Sequence, residues 1–327
     1  MSHRPLCVGI DFGASKVRAV LVEKTSAGAR VAAEEARVYP RAGAFVPLPI
    51  AEQEAQRGAI RLSEAEHGLG ERWIESAVEC VSALTASVPG AEWVVGLAAP
   101  GLKSDDGRGT CVVRNGPRIP DLLDRLLGAL RERSPTAAPL PRLLGDGECS
   151  VWGEVVHVEG RLRDVSVGYY LGAGTGLAEG IWSEGEVRPC EPRAWQLVCE
   201  GEGESSFESL LGMDALRAEF GEFPDVLFER GDPRAAAAFA AVARRTGRLL
   251  ALRATAVTPA PSALVLGQRF GEWFLRDELA ALFRAPLLSE LEELAGPRVA
   301  PSVRGSALRS APAVGCGWLA LQEALAC

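Results

Sequence analysis

The sequence predicts an α/β protein of two domains. Its 327 residues exceed the size at which a single hydrophobic core usually stops growing. Apolar, strand-like runs alternate with stretches of helical spacing, an order typical of α/β sheets whose ligands lie beyond the strand ends. A strand, a glycine-containing polar turn and a returning strand occur twice, once in each half of the chain. The two halves are therefore alike in layout, although their residues differ.

The first hairpin covers residues 8–23 and carries a carboxylate at its turn. An apolar strand ends on Asp11, the small residues Gly13, Ala14 and Ser15 follow, and Lys16 adds a positive charge before the returning strand. Successive N–H groups at such a turn form an anion-binding concavity, and an aspartate can hold Mg²⁺ through water. An ordinary hairpin with a polar turn explains this stretch equally well.

The rest of the first half predicts strands, helices and a boundary between domains. We expect strands at residues 30–38 and 93–98. We expect a loop at residues 39–50. We expect a helix at residues 63–87, which Pro89 and Gly90 would end, and a second helix at residues 121–133. Residues 134–141 contain three prolines and are the best candidate for a hinge. The predicted domains are residues 1–135, to which a closing helix at 309–327 returns, and residues 136–308.

The second half repeats the pattern. We expect a strand at residues 164–171, a glycine-rich turn and a return strand at 181–182, with later strands at 263–266, ending on Gly267, and at 298–300. Helices are predicted at residues 149–158, 205–220, 233–254, 273–283 and 311–326.

The second glycine turn predicts a nucleotide site together with the first. It carries Gly172, Gly174, Thr175 and Gly176. A nucleoside triphosphate needs many N–H donors and a cation, because phosphoryl transfer depends mostly on positioning and charge neutralisation. Small glycine turns are common, so either turn alone is weak evidence. Two of them, one in each domain, are more specific and could grip the phosphates together.

Asp146 is the candidate catalytic residue. It follows the apolar Leu143 and Leu144 and begins a predicted helix. A helix N-terminus keeps a carboxylate ionised, which suits a base that accepts a proton from a hydroxyl group during phosphoryl transfer. The simpler role is a helix N-cap, and position alone favours the cap.

Composition excludes several other classes of function. The net charge is −8, from 35 basic and 43 acidic residues, and no basic block suggests nucleic acid. No apolar run approaches the roughly 20 residues that span a bilayer, and no leader peptide is evident, so we expect a cytoplasmic protein. The eight cysteines and three histidines are scattered, which argues against a zinc site and against a disulfide framework.

Several of these segments resemble motifs of the ROK family of sugar kinases, and the resemblance covers nearly the whole chain. Residues 11–16 read DFGASK and resemble the family's first phosphate motif, D-x-G-G-T-K. Residues 171–176 read LGAGTG and are similar to its second phosphate motif. Residues 145–154 read GDGECSVWGE and resemble N-D-A-N-x-x-A-x-G-E, which places Asp146 on the catalytic base.

Weaker similarities extend to both ends of the chain. Residues 97–101 (LAAPG) resemble the family's G-x-P-G segment, and residues 114–116 resemble the loop whose asparagine contacts sugar hydroxyls. Residues 264–268 (LVLGQ) resemble the glycine segment on the adenosine side, and residues 311–321 the closing helix. The family's repressor branch carries a preceding winged helix, and because no such extension precedes residue 1, we expect a chain outside that branch. The resemblance implies a two-domain actin-like ATPase (ribonuclease-H-like) fold with an interdomain cleft.

One region departs from the family. Its E-x-G-H sugar motif and its cysteine-rich zinc knuckle should lie between residues 185 and 210, which contain no histidine and only Cys190 and Cys199. Glu191 stands where the sugar-contacting glutamate would, and Trp195 could stack on a sugar or simply fill a core. Glu148 replaces an asparagine beside Asp146. Hexose specificity therefore does not transfer.

The resemblance implies an ATP-dependent kinase for a sugar or sugar-like alcohol, with Asp146 as general base and Asp11 holding the waters of Mg²⁺. Rival functions are a non-catalytic or regulatory nucleotide- or sugar-binding protein, and an ATPase with a protein partner. A homodimer is possible for any of these functions. The residues expected to bind ATP are Asp11, Gly13, Ala14, Ser15, Lys16, Gly172, Gly174, Thr175, Gly176, Gly267 and Gln268. The residues expected to contact the acceptor are Asn115, Gly116, Asp146, Glu191 and Trp195.

Overall fold

The computed structural model describes residues 6–39, 45–86, 92–133, 137–139 and 142–326. The chain forms two compact units, Met1–Val158 with Ser310–Cys327, and Glu159–Arg309. The strands, in chain order, are β1 (Leu6–Phe12), β2 (Lys16–Thr25), β3 (Gly28–Val38), β4 (Trp93–Ala99), β5 (Leu102–Lys103), β6 (Thr110–Val112), β7 (Ala137–Pro139), β8 (Leu144–Gly145), β9 (Val167–Ala173), β10 (Leu177–Ser183), β11 (Glu186–Arg188), β12 (Ala263–Gly267) and β13 (Val303–Gly305).

The α-helices lie between groups of these strands, singly or in succession. Short 3₁₀ turns occur at Asp277–Leu279 and Ala300–Ser302, and a π-helical turn at Ala280–Arg284. The α-helices are α1 (Ile50–Ala55), α2 (Glu64–Thr85), α3 (Leu122–Arg133), α4 (Asp146–Val156), α5 (Phe207–Leu211), α6 (Met213–Phe220), α7 (Pro224–Glu229), α8 (Arg234–Ala256), α9 (Gln268–Leu275), α10 (Ala285–Ala295) and α11 (Ala311–Ala326).

The first unit is a sheet covered on both faces. Its strand order is β3-β2-β1-β4-β7, and β8 also pairs with β4. β1 runs antiparallel to β2 and parallel to β4, which is parallel to β7 and β8. Because successive strand residues point to opposite faces, Val8, Ile10 and Phe12 pack with α2 and α3, whereas Cys7 packs with α11.

Helix α11 lies against β1 and β4 at backbone contact. A Cβ atom on Gly9 would lie 1.7 Å from the carbonyl oxygen of Ala313, and one on Gly96 would lie 2.0 Å from that of Cys316. No side chain fits at either strand position. The closing helix therefore belongs to the first unit, and its distance from the sheet is set by these two glycines.

The same helix meets α4 through a second pair of glycines. A Cβ atom on Gly153 would lie 2.1 Å from the carbonyl oxygen of Ala311, and one on Gly315 would lie 1.9 Å from that of Cys149. Helix α4 is thus held directly on α11, which in turn rests on β1 and β4.

The second unit repeats the strand pattern of the first. Its order is β11-β10-β9-β12-β13, with β9 antiparallel to β10 and parallel to β12. The alternate residues Tyr169 and Leu171 of β9 pack with Phe239 of α8 and with Phe270 and Trp273 of α9 in one buried core. The similarity of layout in the two halves of the sequence is therefore a similarity of sheet topology.

The structure corrects the predicted boundary between domains. Of the proposed hinge at residues 134–141, the described part is β7, which pairs with β4 inside the first unit, and its Pro139 stands on an edge strand, where a missing N–H is tolerated. The contacts put the division at Val158 and Glu159 rather than after residue 135. Residues 145–158 lie in the first unit because β8 pairs with β4 and α4 packs on α11.

Several element predictions also change. The helix expected at 205–220 is two helices, because Gly212 is extended at the point where they meet. The helix expected at 273–283 begins earlier, at Gln268, and passes into the 3₁₀ and π-helical turns. The strand expected at 298–300 is wrong, since the strand here is β13 at Val303–Gly305. Pro89 and Gly90 lie outside the described residues.

Two further features concern the cysteines and the apolar length of the helices. The seven cysteines in the described ranges are free, buried thiols. None of the helices in those ranges is long and apolar enough to cross a lipid bilayer.

Candidate functional site

Two aspartates lie at the carboxyl ends of β1 and β8, two parallel strands on either side of β4 in the first unit. Asp11 pairs in register with Ala98 of β4, and Ala98 pairs with Leu144 of β8. Asp146 follows β8 immediately, as the first residue of α4. In open α/β sheets ligands bind beyond these strand ends. The sheet therefore brings together two of the residues singled out in the sequence.

The charge of Asp146 acts on Asp11. Asp11 is partly buried, and its pKa is raised from 3.8 to about 7, first by desolvation and then by the nearby charge of Asp146, while Arg18 and Lys16 act in the opposite direction. A pair of carboxylates that repel each other in this way is a favourable place for a cation, which would offset both charges.

Asp146 is not the N-cap of α4. The cap position is held by Gly145, which has extended backbone angles and no side chain to cap with. The Asp146 carboxylate instead accepts a hydrogen bond of 2.9 Å from the Gly147 N–H, and the Ser150 hydroxyl donates to the Asp146 carbonyl oxygen at 2.8 Å. The N-terminal turn of the helix therefore supports the carboxylate, as expected for a residue that stays ionised.

A tight turn after β4 continues this edge of the sheet. Gly101 has a φ of +76°, and a Cβ atom there would lie 2.1 Å from the carbonyl oxygen of Val112, so glycine is required on both counts. Lys103 donates from Nζ to the carbonyl oxygens of Ala99, at 2.7 Å, and Gly101, at 2.9 Å. This turn packs the end of β4 against the chain that leads to Asn115.

The Asn115 loop rests on an aromatic stack. Asn115 is half-buried and Gly116 is buried. A Cβ atom on Gly116 would lie 2.5 Å from Cη2 of Trp73, and Trp73 stacks on Tyr39 with ring centroids 4.5 Å apart. The glycine lets the loop lie directly on the indole.

A buried ion pair fixes the far side of this loop. Arg118 and Glu66 have side chains exposed by only 1% and 6%. Arg118 donates from Nε to Oε1 and from Nη2 to Oε2 of Glu66, each at 2.8 Å, and its backbone N–H also donates to Glu66 at 3.0 Å. Arg118 further donates to Gln56 at 2.8 Å and to the carbonyl oxygen of Arg61 at 2.9 Å.

Sequence reasoning missed this pair. Glu66 stands three residues after Ser63, whose hydroxyl accepts its N–H at 3.1 Å, so the spacing is that of a helix-capping motif. The glutamate side chain instead reaches Arg118, 52 residues along the chain. Gln53 was also missed. Its buried carboxamide accepts a hydrogen bond from the Val113 N–H at 2.8 Å and donates one to the Val113 carbonyl oxygen at 3.0 Å.

The glycine turn of the second unit connects β9 and β10. The Gly174 N–H donates to the carbonyl oxygen of Gly176 at 2.9 Å, and the Met213 N–H at the start of α6 donates to the Gly174 carbonyl oxygen at 3.0 Å. Among the described residues, the N–H groups of Thr175 and Gly176 make no hydrogen bond. Two backbone donors of the turn are thus available to an anion.

Gly172, Gly267 and Gln268 lie beside this turn. Gln268 forms a bridge with Ala173, the last residue of β9. A Cβ atom on Gly172 would lie 2.7 Å from the Tyr170 hydroxyl oxygen, and one on Gly267 would lie 2.2 Å from the same atom. These two glycines therefore make room for Tyr170, a reason that the sequence did not reveal.

The two expected acceptor contacts in the second unit are not oriented by polar partners in a buried site. The Glu191 side chain is 63% exposed and lies 3.6 Å from Arg193. Trp195 is half-buried and makes no hydrogen bond among the described residues. Their roles stay predictions.

The buried carboxylate near these residues is Glu179, which the sequence did not single out. Glu179 Oε2 accepts from the Tyr169 hydroxyl at 2.8 Å and Arg253 Nε at 3.0 Å; its Oε1 accepts from Arg253 Nη2 at 2.8 Å and the Ala194 N–H at 2.6 Å. Arg253 also donates to the carbonyl oxygen of Pro192 at 2.7 Å. This network fixes the segment that carries Glu191 and Trp195.

Two more arginines of α8 fix the chain that follows. Arg245 is 7% exposed and lies between Glu202, 2.9 Å from its Nε, and Glu219, 2.6 Å from its Nη1. Arg248 donates to Glu290 at 2.8 Å and to the carbonyl oxygen of Glu200 at 2.7 Å. The segment where a zinc knuckle would lie is therefore held by ion pairs.

The donor sets decide which cations fit. No group of three or more histidine, cysteine, aspartate or glutamate side chains that could hold a metal ion occurs in the described ranges, which include all of residues 185–210. Cys190 is buried and its pKa is raised by desolvation, so its thiol stays protonated. Asp11 and Asp146 offer oxygen ligands that suit a Mg²⁺ ion keeping most of its waters.

Known structures share this fold across nearly the whole chain. A ROK hexokinase from Thermus thermophilus is 20% identical, with 98% of this chain and 100% of that one covered and a TM-score of 0.64. A ROK-family glucokinase from Streptomyces griseus, in complex with glucose and AMPPNP, is 19% identical, with 97% and 99% covered and a TM-score of 0.64. A ROK-family transcriptional regulator, a homologue of the E. coli Mlc protein, is 13% identical, with 98% and 80% covered and a TM-score of 0.63.

These comparisons establish the fold. No family model matches the sequence, and no curated protein matches it. The chain has the two-domain actin-like ATPase fold of the ROK sugar kinases, as the sequence motifs predicted. Because the identities are at most 20%, activity and substrate have to be argued from the residues of this chain.

Proposed function

We propose that this protein is an ATP-dependent kinase that phosphorylates a hydroxyl group of a sugar or sugar-like molecule. The observation that carries the proposal is the pair Asp11 and Asp146 at the carboxyl ends of two parallel strands that flank β4, in a fold shared with sugar kinases. Phosphoryl transfer to an alcohol needs a base for the hydroxyl proton and a cation for the phosphates.

Asp146 acts as the general base. A carboxylate oxygen takes the proton from the acceptor hydroxyl as the hydroxyl oxygen attacks the γ-phosphorus, and ADP departs with the electrons of the broken P–O bond. Support comes from its hydrogen bond with the Gly147 N–H and its place in the first turn of α4, both of which stabilise the ionised form. The packing of α4 on α11 fixes its position.

The nucleotide phosphates are bound by backbone N–H groups and by cation contacts. In the second unit the N–H groups of Thr175 and Gly176 are free to donate. In the first unit Asp11 would hold a Mg²⁺ ion through water, and Lys16 lies close enough to act on the charge of Asp11. When bound, Mg²⁺ supplies charge neutralisation at the phosphates.

The acceptor is bound in part by the Asn115 loop. An amide side chain can both donate to and accept from sugar hydroxyls. The loop is held from below by Trp73, which Gly116 contacts, and from the side by the Arg118–Glu66 pair, so its backbone is set before the acceptor binds. Such fixed polar groups favour recognition because little freedom is lost on binding. Glu191 and Trp195 are further proposed contacts.

A second candidate function is a sugar- or nucleotide-binding regulator without catalysis. The altered segment at residues 185–210 favours it, and the same fold occurs in a ROK-family transcriptional regulator. The paired aspartates favour the kinase, because a binding protein gains nothing from a carboxylate that raises the pKa of its neighbour.

A screen of hydroxyl acceptors for ATP-dependent phosphorylation tests the proposal. With an acceptor found, Asp146→Asn should lower turnover by about 10²–10⁴-fold while ATP affinity stays near that of the wild type. The matched control is Glu148→Gln, which neutralises a half-buried carboxylate in the same helix turn and should retain turnover. Full turnover in Asp146→Asn would contradict the base assignment. A regulator would bind ligand and turn over none of the acceptors.

A further inference from the structure

Tyr39 is fixed from two directions in the first unit. Its backbone N–H donates to the carbonyl oxygen of Ser15 at 3.1 Å, which bonds it to the Ser15 turn, residues 13–15 between β1 and β2. Its ring stacks on the indole of Trp73, with the ring centroids 4.5 Å apart and the planes at 11°. Both side chains are buried. Tyr39 therefore links a turn that is expected to bind phosphate with the core beneath it.

The same indole carries the Asn115 loop. A Cβ atom on Gly116 would lie 2.5 Å from Cη2 and 2.8 Å from Cζ2 of Trp73. Phe12, the last residue of β1, also lies nearly parallel to the indole, at 18° and with the ring centroids 6.5 Å apart. Trp73 is thus packed between the strand that leads into the Ser15 turn, Tyr39, and the loop that carries Asn115.

This row of contacts leaves little room for a displacement to be absorbed. Gly116 has no side chain, so the backbone of the loop meets the indole directly. Buried rings are packed as densely as in organic crystals, and a shift of one is felt by its neighbours. We therefore expect a movement of the Ser15 carbonyl group to reach Gly116 through Tyr39 and Trp73.

We propose that Tyr39 and Trp73 are positioning residues that couple the Ser15 turn to the Asn115 loop. A phosphate group bound by the turn fixes the Ser15 carbonyl group, and the aromatic stack then holds Gly116 and Asn115 in one arrangement. Nucleotide binding thereby orders the acceptor loop, and acceptor binding strengthens nucleotide binding by the same factor. This role rests on the proposed function, because the turn has to bind the nucleotide.

Amide hydrogen exchange of the full-length protein, with and without Mg²⁺ and the non-hydrolysable analogue AMPPNP, tests the coupling. In the wild type, AMPPNP should slow exchange in residues 11–16 and also in residues 114–116. The second effect should be about 5- to 150-fold, the range typical of coupling between two sites. Tyr39→Leu keeps an apolar side chain and removes the stack. Its residues 11–16 should stay protected, whereas residues 114–116 should exchange as they do without AMPPNP.

Tyr39→Phe is the matched control. The Tyr39 hydroxyl is buried and makes no hydrogen bond among the described residues, so phenylalanine keeps the stack and loses no bond. This variant should show the protection of the wild type in both segments and a Tm no lower than that of the wild type. Leu130→Ala controls for stability, because Leu130 is buried in the same core but is not part of the stack. It should lower the Tm and leave the protection of residues 114–116 in place.

Three results would overturn the coupling while the nucleotide site itself would stand. A wild type that binds AMPPNP without protection of residues 114–116 would mean that the turn and the loop are independent. Full protection of those residues in Tyr39→Leu would mean that the stack does not connect them. Lost protection in Leu130→Ala would mean that any loosening of the core has the same effect. A wild type that binds no AMPPNP would overturn the proposed function together with the coupling.

Discussion

Replacing Gly315 by alanine should separate α11 from α4 and destabilise the first unit. The new Cβ atom would lie 1.9 Å from the carbonyl oxygen of Cys149 and 2.9 Å from the backbone nitrogen of Gly153. Ordinary contact begins at 3.4 Å, so one helix has to retreat by about 1.5 Å. Both obstructing atoms belong to the backbone of a helix, and rotation of a side chain cannot relieve the clash.

The expected cost exceeds the gain in helix propensity. Overpacking a core typically costs about 1–3 kcal/mol and occasionally more, and a clash with backbone falls at the upper end. Alanine is favoured over glycine in a helix by roughly 1 kcal/mol. The net loss should therefore be about 1–2 kcal/mol, which corresponds to a fall in Tm of about 2–8 °C for a unit of this size.

Gly128→Ala is the matched control. Gly128 lies in α3, is exposed, and has nothing within 4 Å of the position of a Cβ atom. The same substitution there should raise stability by up to about 1 kcal/mol. Urea and thermal unfolding of both variants measure the difference, and amide hydrogen exchange should show faster opening in α4 and α11 for Gly315→Ala alone. Equal stability gains in the two variants would refute the close backbone contact.

Other predictions concern charge and metal. Arg118→Met should lower the free energy of unfolding in urea by about 3–5 kcal/mol, because Glu66 is left buried without its partner. Adding Glu66→Met to the same protein should recover most of that loss. A near-neutral effect of Arg118→Met alone would contradict the buried ion pair. Asp11→Asn should raise the Tm of chelator-treated protein at pH 8 but barely at pH 4. The raised pKa of Asp11, about 7 against 3.8, means that folding opposes its ionisation, and this penalty grows between pH 4 and 7 and is complete above pH 7. The full pKa shift corresponds to a stability penalty of at most about 4 kcal/mol, and to less for a partly exposed group. A Tm difference between Asp11→Asn and the wild type that does not change with pH would refute the repulsion between the two aspartates. Elemental analysis should find no stoichiometric zinc, and zinc that a chelator removes with loss of stability would contradict the assignment of residues 185–210.

Local patterns predicted much of the fold because its strands are short and buried. The runs ending at Asp11, Ala99 and Gly267 are apolar and bounded by glycine or proline, so they could be recognised without knowing their neighbours. The pairing of strands was harder to predict from the sequence. Ala137–Pro139 carries little hydrophobic signal, and only its partner β4 makes it a strand. The prolines around it suggested a hinge instead.

The residues of the candidate site likewise differ in whether a local sequence pattern reveals them. Asp11 and Asp146 were found because each follows an apolar run, a local feature. Glu66 and Arg118 were not, since they are 52 residues apart and each alone looks like a surface charge. The strained backbone of Gln268 was also hidden, because a positive φ at a non-glycine residue has no signature in sequence.

The position of α11 in the chain has a consequence for synthesis on the ribosome. The first unit is built from residues on both sides of the second, so about 150 residues are translated between α4 and α11. At about 5–20 residues per second this takes roughly 8–30 s. Throughout that time Gly9 and Gly96 line a sheet face that lacks its covering helix. The second unit, which is continuous in sequence, can therefore complete its core before the unit that is made first.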